Sequence, residues 1–372
     1  MTQATSIPAA EPLPPGRVER YDTIIVGAGQ AGLAVGHHLA ARDADFLIVD
    51  GATRVGDSWR TRWDSLRLFT PAKYAGLPGM PFPAPPDHLP DKDEVADYLE
   101  RYATRFDLPV RLSAPVRSLR RDGDRYLLDV GGRRLEATNV VVGTGPFHAP
   151  RIPAFASQLA PSITQLHSRD YRNPWELPEG AVLVVGAGNS GAQVAIELAR
   201  FRRVWLAGRD TGHVPRRLLG RDVFDWLWPA FQYANGDRRI GRALFARMRH
   251  GGDALIGIPE EQVRGAGVLR VGRVTGVSQG RPVSDGQPLD ARVVIWCTGF
   301  APDYGWIRLP VFGNDGYPLH DRGVVPGAPG LYFIGLRFQH RVTSSLLGGV
   351  RDDARWIAEQ VMAREDLAIP AG

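Results

Sequence analysis

Glycines at 27, 29 and 32 follow the β-branched run Ile24-Ile25-Val26, and glycines at 186, 188 and 191 follow Val182-Leu183-Val184-Val185. Three glycines at this spacing are what a chain needs to hold a dinucleotide. The first allows a tight turn, the second lets backbone approach a pyrophosphate, and the third lets a helix pack close on its strand. Gln30 and Ala31 complete the first turn, and Asn189 and Ser190 the second. A lone G-x-G-x-x-G is a weak signal in a chain with 43 glycines. Its repetition, each time with a strand before it and an apolar helical pattern behind it, predicts two nucleotide sites.

The residue ending the next strand separates the two sites. Phe46-Leu47-Ile48-Val49 runs into Asp50, about 20 residues past the first glycine, where a carboxylate reaches ribose hydroxyls and argues against a 2′-phosphate. Val204-Trp205-Leu206-Ala207 runs instead into Gly208-Arg209, and a guanidinium there clamps a 2′-phosphate bidentately. The first site therefore suits FAD and the second NADPH. The competing reading of Arg209 is one more solvated arginine, in a chain where all but two of the 45 basic residues are arginine.

The elements that must position these residues define an α/β fold class: two doubly wound, Rossmann-type dinucleotide-binding domains, the NADPH domain inserted into the FAD domain. The expected division is a disordered, proline-bearing tail over 1–16, an FAD domain over 17–165 and 288–372, and an NADPH domain over 166–287. Val140-Val141-Val142-Gly143-Thr144-Gly145 and its echo Val293-Val294-Ile295-Trp296-Cys297-Thr298-Gly299-Phe300 read as strands returning to a domain through a glycine turn. The first of these ends a meander from Val110 to Val142 that is broken at Asp122-Gly123 and Gly131-Gly132, and ahead of the meander Asp91 opens a helix with Val95, Leu99, Tyr102 and Phe106 inward. The loop from Gly51 to Phe82, rich in aromatics and proline, predicts a walled edge beside the first site or a packed surface loop. Phe224, Trp226, Trp228, Phe231, Ile240, Leu244, Phe245 and Met248 read first as helix packing and second as a substrate entrance.

Composition narrows the function. A net charge of +5 is spread along the chain without a basic run, which argues against nucleic acid. Cys297 is the only cysteine, so an internal disulfide, a cysteine-rich metal site and a C-x-x-C redox pair are excluded; the nine histidines show no H-x-H or H-E-x-x-H spacing. No stretch approaches the roughly 20 apolar residues of a membrane span, and the N-terminus lacks a signal-peptide layout. The expectation is a cytoplasmic protein without stable membrane insertion.

The two glycine turns, Gly56-Asp57-Ser58-Trp59-Arg60, Leu66-Arg67-Leu68-Phe69-Thr70-Pro71, Met80-Pro81-Phe82-Pro83, His167 to Pro174 and Cys297-Thr298-Gly299-Phe300 together resemble the flavin-containing monooxygenases, including plant YUCCA-type enzymes and bacterial relatives. The resemblance covers roughly Tyr21 to Val361. The family's F-x-G-x-x-x-H-x-x-x-Y/F motif is met at His167 and Tyr171, while Pro161 and Ile163 stand at its Phe and Gly. For His167 the alternatives are chemistry and a hydrogen-bonded anchor of an interdomain linker.

The resemblance implies an FAD- and NADPH-dependent monooxygenase in which reduced flavin takes up O2 as a C4a-(hydro)peroxide. One oxygen passes to a small-molecule substrate, at nitrogen or sulfur or at a carbonyl, and the other leaves as water. It places Ser58, Trp59, Arg60, Val116, Thr144, Gly145, Thr298, Gly299 and Gly335 with the cofactor-binding residues of the two turns. Asn189 is the expected catalytic residue, near ring and nicotinamide, its other reading being a helix cap. The helix behind Thr343-Ser344-Ser345, with Val350, Ala354, Ile357 and Val361 inward, is expected to point its N-terminus at the flavin pyrimidine. A homodimer is compatible with this reading. A flavin reductase or oxidase passing electrons to a partner or to O2 is the alternative, and a noncatalytic scaffold the remote one.

Overall fold

A computed structural model of the protein describes residues 18–239, 241–243, 245 and 254–368. The expected tail over 1–16 lies outside them, as do Ile240, Leu244 and Met248.

The first sheet is built on β1 (Glu19–Val26), β2 (Phe46–Val49), β3 (Val110–Arg111), β4 (Val116–Asp122), β5 (Arg125–Val130) and β6 (Arg133–Val142), in the order β3-β2-β1-β6-β5-β4. Its parallel part, β3-β2-β1-β6, is extended by the strand Leu331–Phe333, which pairs with Val140 to Val142 of β6. β6 is long enough to serve twice, because its first half, Arg133 to Ala137, pairs antiparallel with β5. The turns after β4 and β5 use Gly123, Gly131 and Gly132 at positive φ, as the glycine breaks of the meander predict.

One face of this sheet is covered by the helix Gln30–Ala40, the helix Lys92–Arg105 and the C-terminal helix Arg351–Ala368. Val95, Leu99 and Tyr102 of the second, and Ala354, Ile357 and Val361 of the third, are fully buried, each large apolar side chain contributing about 2 kcal/mol. Asp91 starts the second helix with a reciprocal capping box to Glu94. The Thr343–Ser345 stretch is separated from the C-terminal helix by the short 3-10 turn Gly348–Val350.

The second sheet is wholly parallel, in the order Leu269–Val271, Val204–Ala207, Val182–Val185, Val293–Trp296, Thr164–His167. Two of these strands differ from the expected division. Val293–Trp296, expected in the FAD domain, lies between Val182–Val185 and Thr164–His167, and Thr164 and Gln165 belong to this sheet as well. The reason is packing on both faces: Val293, Val294, Ile295 and Trp296 are all 0 % exposed, and their side chains divide between the two apolar clusters that sandwich this sheet. The chain crosses between the two units over Ala149–Pro150 and Phe300–Ala301, which pair antiparallel.

Trp63 and Leu66, from the loop that follows the first glycine turn, are buried in the apolar cluster of the second unit with Tyr171, Leu177 and Val194. That insertion of one unit's loop into the other's core fixes where the two nucleotide turns meet.

Candidate functional site

The two glycine turns are stereochemical copies. Gly27 and Gly186 have φ of +108° and +112°, conformations that L side chains avoid. A Cβ on Gly27 would press on the Gly143 carbonyl, and one on Gly186 would overlap that of Cys297. The third glycines, Gly32 and Gly191, lie so close to the carbonyls of Gly27 and Gly186 that no Cβ fits. The middle glycines are different: nothing lies within 4 Å of a Cβ position on Gly29 or Gly188. Both are N-caps without a side-chain cap, at the heads of helices Gln30–Ala40 and Asn189–Leu198. Each helix thus offers uncapped N–H groups toward open space, the arrangement that receives a diphosphate.

A cavity of about 540 Å³ opens at the first turn. Its wall includes Gly27, Gly29, Gln30, Ala31, Asp50, Ser58, Trp59, Val116, Thr144, Gly145 and Gly335, and reaches Asn189 and Ser190 of the second turn. One cavity therefore touches both dinucleotide turns. The Asp50 carboxylate is fixed by accepting from Ala28 N at 2.6 Å and from Ala52 N at 2.8 Å. The Trp63 ring is part of the wall, while its indole N–H is buried without a partner among the described residues.

Other expected residues stand outside that wall. Gly32, Gly186, Gly188 and Gly191 shape the turns from behind or beside it. Thr298 donates its hydroxyl to the Arg151 carbonyl, and the Gly299 carbonyl accepts from Arg151 N at 2.9 Å and from His167 Nε2 at 3.0 Å; both belong to the linker between units. Arg209 is exposed beside the second turn, since Gly208, at φ +153°, lies against Ala187.

Arg60, expected near the flavin ring, is turned away from the cavity. Its guanidinium donates to Val55 O at 2.5 Å, Asp97 at 2.9 Å and Glu100 at 3.2 Å, because the helical turn Asp57–Arg60 aims it at the acidic face of helix Lys92–Arg105. Arg62, two residues on, is in the wall instead, its guanidinium 5.6 Å from the Phe300 ring centre and its Nε donating to Ser58 O at 3.1 Å. Burial first, then the charges of Arg169 and Arg172, lower its pKa.

Asn189 is not a cap, a role that Gly188 fills. Its side chain donates to Ala254 O at 3.3 Å and accepts from Ile256 N at 3.0 Å, pinning the strand Leu255–Ile256 over the second turn. Gln193 stands one helical turn further along, in the same wall, a spacing from Asn189 that could have revealed it. Phe69, Phe147, Phe300 and Trp306 complete an aromatic lining that no local pattern announces.

His167 is buried, and burial lowers its pKa. Its Nδ1 accepts from Arg169 N at 3.1 Å while Nε2 faces the Gly299 carbonyl, so the ring is neutral with its proton on Nε2. This is the linker anchor. The Cys297 thiol is pushed up to about 12 by burial, far from thiolate chemistry. Of the aromatic segment, Phe224 is buried and stacks on Phe69 at 6.1 Å, and Trp228 stacks on Tyr74 at 4.9 Å, so these rings pack the second unit against the cavity loop.

The sequence pattern of the pyridine nucleotide-disulphide oxidoreductases matches residues 24–227. An uncharacterized CzcO-like oxidoreductase of Geobacillus kaustophilus is 40% identical over 345 residues, covering 92% of this chain and 98% of that protein. The indole-3-pyruvate monooxygenase YUCCA4 of rice is 29% identical, over 92% of this chain and 87% of its own length. Among solved structures, a flavin-containing monooxygenase from Stenotrophomonas maltophilia superposes with a TM-score of 0.76 at 27% identity, covering 93% of this chain and 99% of that one. Two copied dinucleotide turns on one cavity and these relatives agree: the chain is an oxidoreductase of the pyridine nucleotide-disulphide oxidoreductase family, and a flavin-containing-monooxygenase-like member of it.

Proposed function

We propose that this enzyme binds FAD at the first turn and NADPH at the second, and that it inserts one atom of O2 into a small organic substrate while NADPH is oxidised and the second atom leaves as water. The observation that carries the reading is the single cavity lined by Gly29, Asp50 and Trp59 on one side and Asn189, Ser190 and Gln193 on the other. It lets a hydride donor and a flavin share one dry space.

The flavin, when bound, supplies the redox chemistry; the protein supplies holding, orientation and dryness. The uncapped N–H groups behind Gly29 and the Asp50 carboxylate suit diphosphate and ribose. Gln193 and Asn189 hold the second turn and the strand Leu255–Ile256 in fixed register with the cavity loop. Trp59, Trp63, Phe69, Phe300 and Trp306 give the cavity an aromatic wall that would keep water from the redox chemistry a bound flavin would supply.

The wall also favours a substrate class. Arg62 forms no ion pair with a carboxylate of the described residues, so an aromatic or apolar substrate with an acidic group fits the ring-lined cavity, as a 2-oxo acid would. Oxygenation at a soft nitrogen or sulfur is the other form of the same reaction.

The test is stopped-flow absorbance of FAD-loaded protein, reduced anaerobically with NADPH and mixed with oxygenated buffer, alone and with candidate 2-oxo acids, amines, sulfides and ketones. A transient near-ultraviolet band between the reduced and reoxidised spectra, followed by an oxygenated product, is expected. Direct reoxidation with stoichiometric hydrogen peroxide under every condition would favour a reductase or oxidase.

A further inference from the structure

Arg217–Leu218 and Arg221–Asp222 pair as a small hairpin of the second unit, with Leu219 and Gly220 as its two-residue turn. Both turn residues have positive φ, +51° and +76°. Glycine takes this conformation freely, and Asn or Asp are the usual companions; leucine is disfavoured there. Leu219 is nevertheless 82% exposed and its neighbour Leu218 45% exposed. Neither turn geometry nor internal packing accounts for a leucine at this tip, so its use lies outside the folded chain.

The surroundings say what meets it. Trp226, 44% exposed, donates its indole N–H to the Leu218 carbonyl at 3.2 Å, and the Arg221 guanidinium lies 5.9 Å from the Trp226 ring centre. Arg217, also exposed, flanks the turn on its other side. Two carboxylates nearby are committed elsewhere: Asp222 is buried against Arg216 at 2.5 Å, and Asp225 bonds Lys73 and Tyr74. An apolar tip therefore stands between two arginines, Arg217 and Arg221, with a tryptophan beside it.

Two leucines and the edge of a tryptophan are far too little surface for a stable protein interface, which needs on the order of 1,000 Å². They match insertion just below lipid headgroups, with guanidiniums at the level of the phosphates and the indole at the interface. We propose that this hairpin docks the enzyme on an anionic lipid surface. The inference is independent of which oxygenation the enzyme performs. It gives the cavity an orientation, since Arg216, next to the hairpin, donates to the Phe69 carbonyl at 2.6 Å, and Phe69 is part of the cavity wall. Docking brings that wall close to the bilayer, a source of apolar substrate.

The experiment is co-sedimentation of full-length, FAD-loaded protein with vesicles of phosphatidylcholine alone or mixed with phosphatidylglycerol, at low and high salt. Binding to the mixed vesicles at low salt is expected, about tenfold weaker to phosphatidylcholine alone or at high salt. The double change Leu218→Ser with Leu219→Ser lowers it about tenfold, and Arg217→Gln with Arg221→Gln removes the preference for the anionic lipid. Leu219→Gly separates docking from folding: it relieves the turn and raises the melting temperature, yet weakens vesicle binding. NADPH oxidation in the absence of vesicles is unchanged in all of these variants. Absence of wild-type binding to mixed vesicles overturns the proposal, as does undiminished binding by Leu219→Gly. Leucine-dependent self-association without vesicle binding also overturns it, assigning the tip to contact between copies.

Discussion

The Gln193 side chain closes on the main chain of Arg67, its Nε2 donating to Arg67 O at 3.1 Å and its Oε1 accepting from Arg67 N at 3.4 Å. It ties the helix behind the second turn to the loop behind the first, at the wall of the shared cavity. Gln193→Ala removes both bonds, a loss of about 1–2 kcal/mol in the register of the two units. The expected result is normal FAD content with flavin reduction by NADPH slowed about tenfold, read by anaerobic stopped-flow. Unchanged reduction kinetics would show that this tie does not set the register.

Arg60 and Arg62 are two residues apart and predict opposite outcomes. Arg60→Ala breaks bonds to Val55, Asp97 and Glu100, so thermal unfolding shifts by about 1–2 kcal/mol while turnover of the folded, FAD-loaded enzyme is retained. Arg62→Ala leaves stability nearly unchanged, because burial and like charges already work against this guanidinium, but alters steady-state kinetics. If Arg60→Ala were the variant that lost activity, the placement of these two side chains would be wrong.

Arg209 stands exposed beside the second turn, at the end of strand Val204–Ala207. Arg209→Ala is expected to lower kcat/KM for NADPH at least tenfold, about 1.4 kcal/mol, with little change for NADH. An unaltered NADPH/NADH preference would refute its role at a 2′-phosphate.

His38 is held down to about 4, by burial first and then by the charges of His37, Arg42, Arg355 and Arg351. Burial likewise lowers His37, His148, His167 and His340. Each is neutral in the folded protein and binds a proton more readily when unfolded. The stability they confer is therefore present above their ordinary value of 6.5 and is lost as pH falls, for His38 through about 4. Asp353, raised to about 6 by burial, has the opposite sign and offsets part of this between its ordinary 3.8 and about 6. The melting temperature should fall from pH 6.5 toward 4, and His38→Gln should make that fall shallower. A fall just as steep in the variant would remove His38 from the account.

Both glycine turns, the α/β class and the helix opened by Asp91 were legible along the chain because their causes are local. A steric demand for glycine at Gly27 and Gly186, an alternation of strand and helix, and a capping box between Asp91 and Glu94 all act over a few residues. Asp50 was legible for the same reason, since the length of the first strand-turn-helix unit fixes its distance from the turn. The interdomain anchoring by His167 was one of two readings that the sequence left open, and the Gly299 carbonyl decided between them.

What only the tertiary structure decided depends on contacts between residues far apart in sequence. Val293–Trp296 could have returned to either sheet, and burial on both faces beside Val182–Val185 chose the second. From the sequence Arg60 is named and Arg62 is passed over; the acidic face of helix Lys92–Arg105 took the Arg60 guanidinium and left that of Arg62 in the cavity wall. The partner of Asn189 lies 65 residues away at Ala254, and that of Gln193 lies 126 residues away at Arg67, separations over which no periodicity or spacing carries information. The sequence by itself determined that this protein carries two glycine turns of the dinucleotide-binding type in two α/β units, because backbone sterics at glycine is a local law. That the two share one aromatic cavity was decided only when Trp63 and Leu66 buried themselves in the other unit's core, because apolar burial rewards any well-packed partner and only the folded chain selects which one.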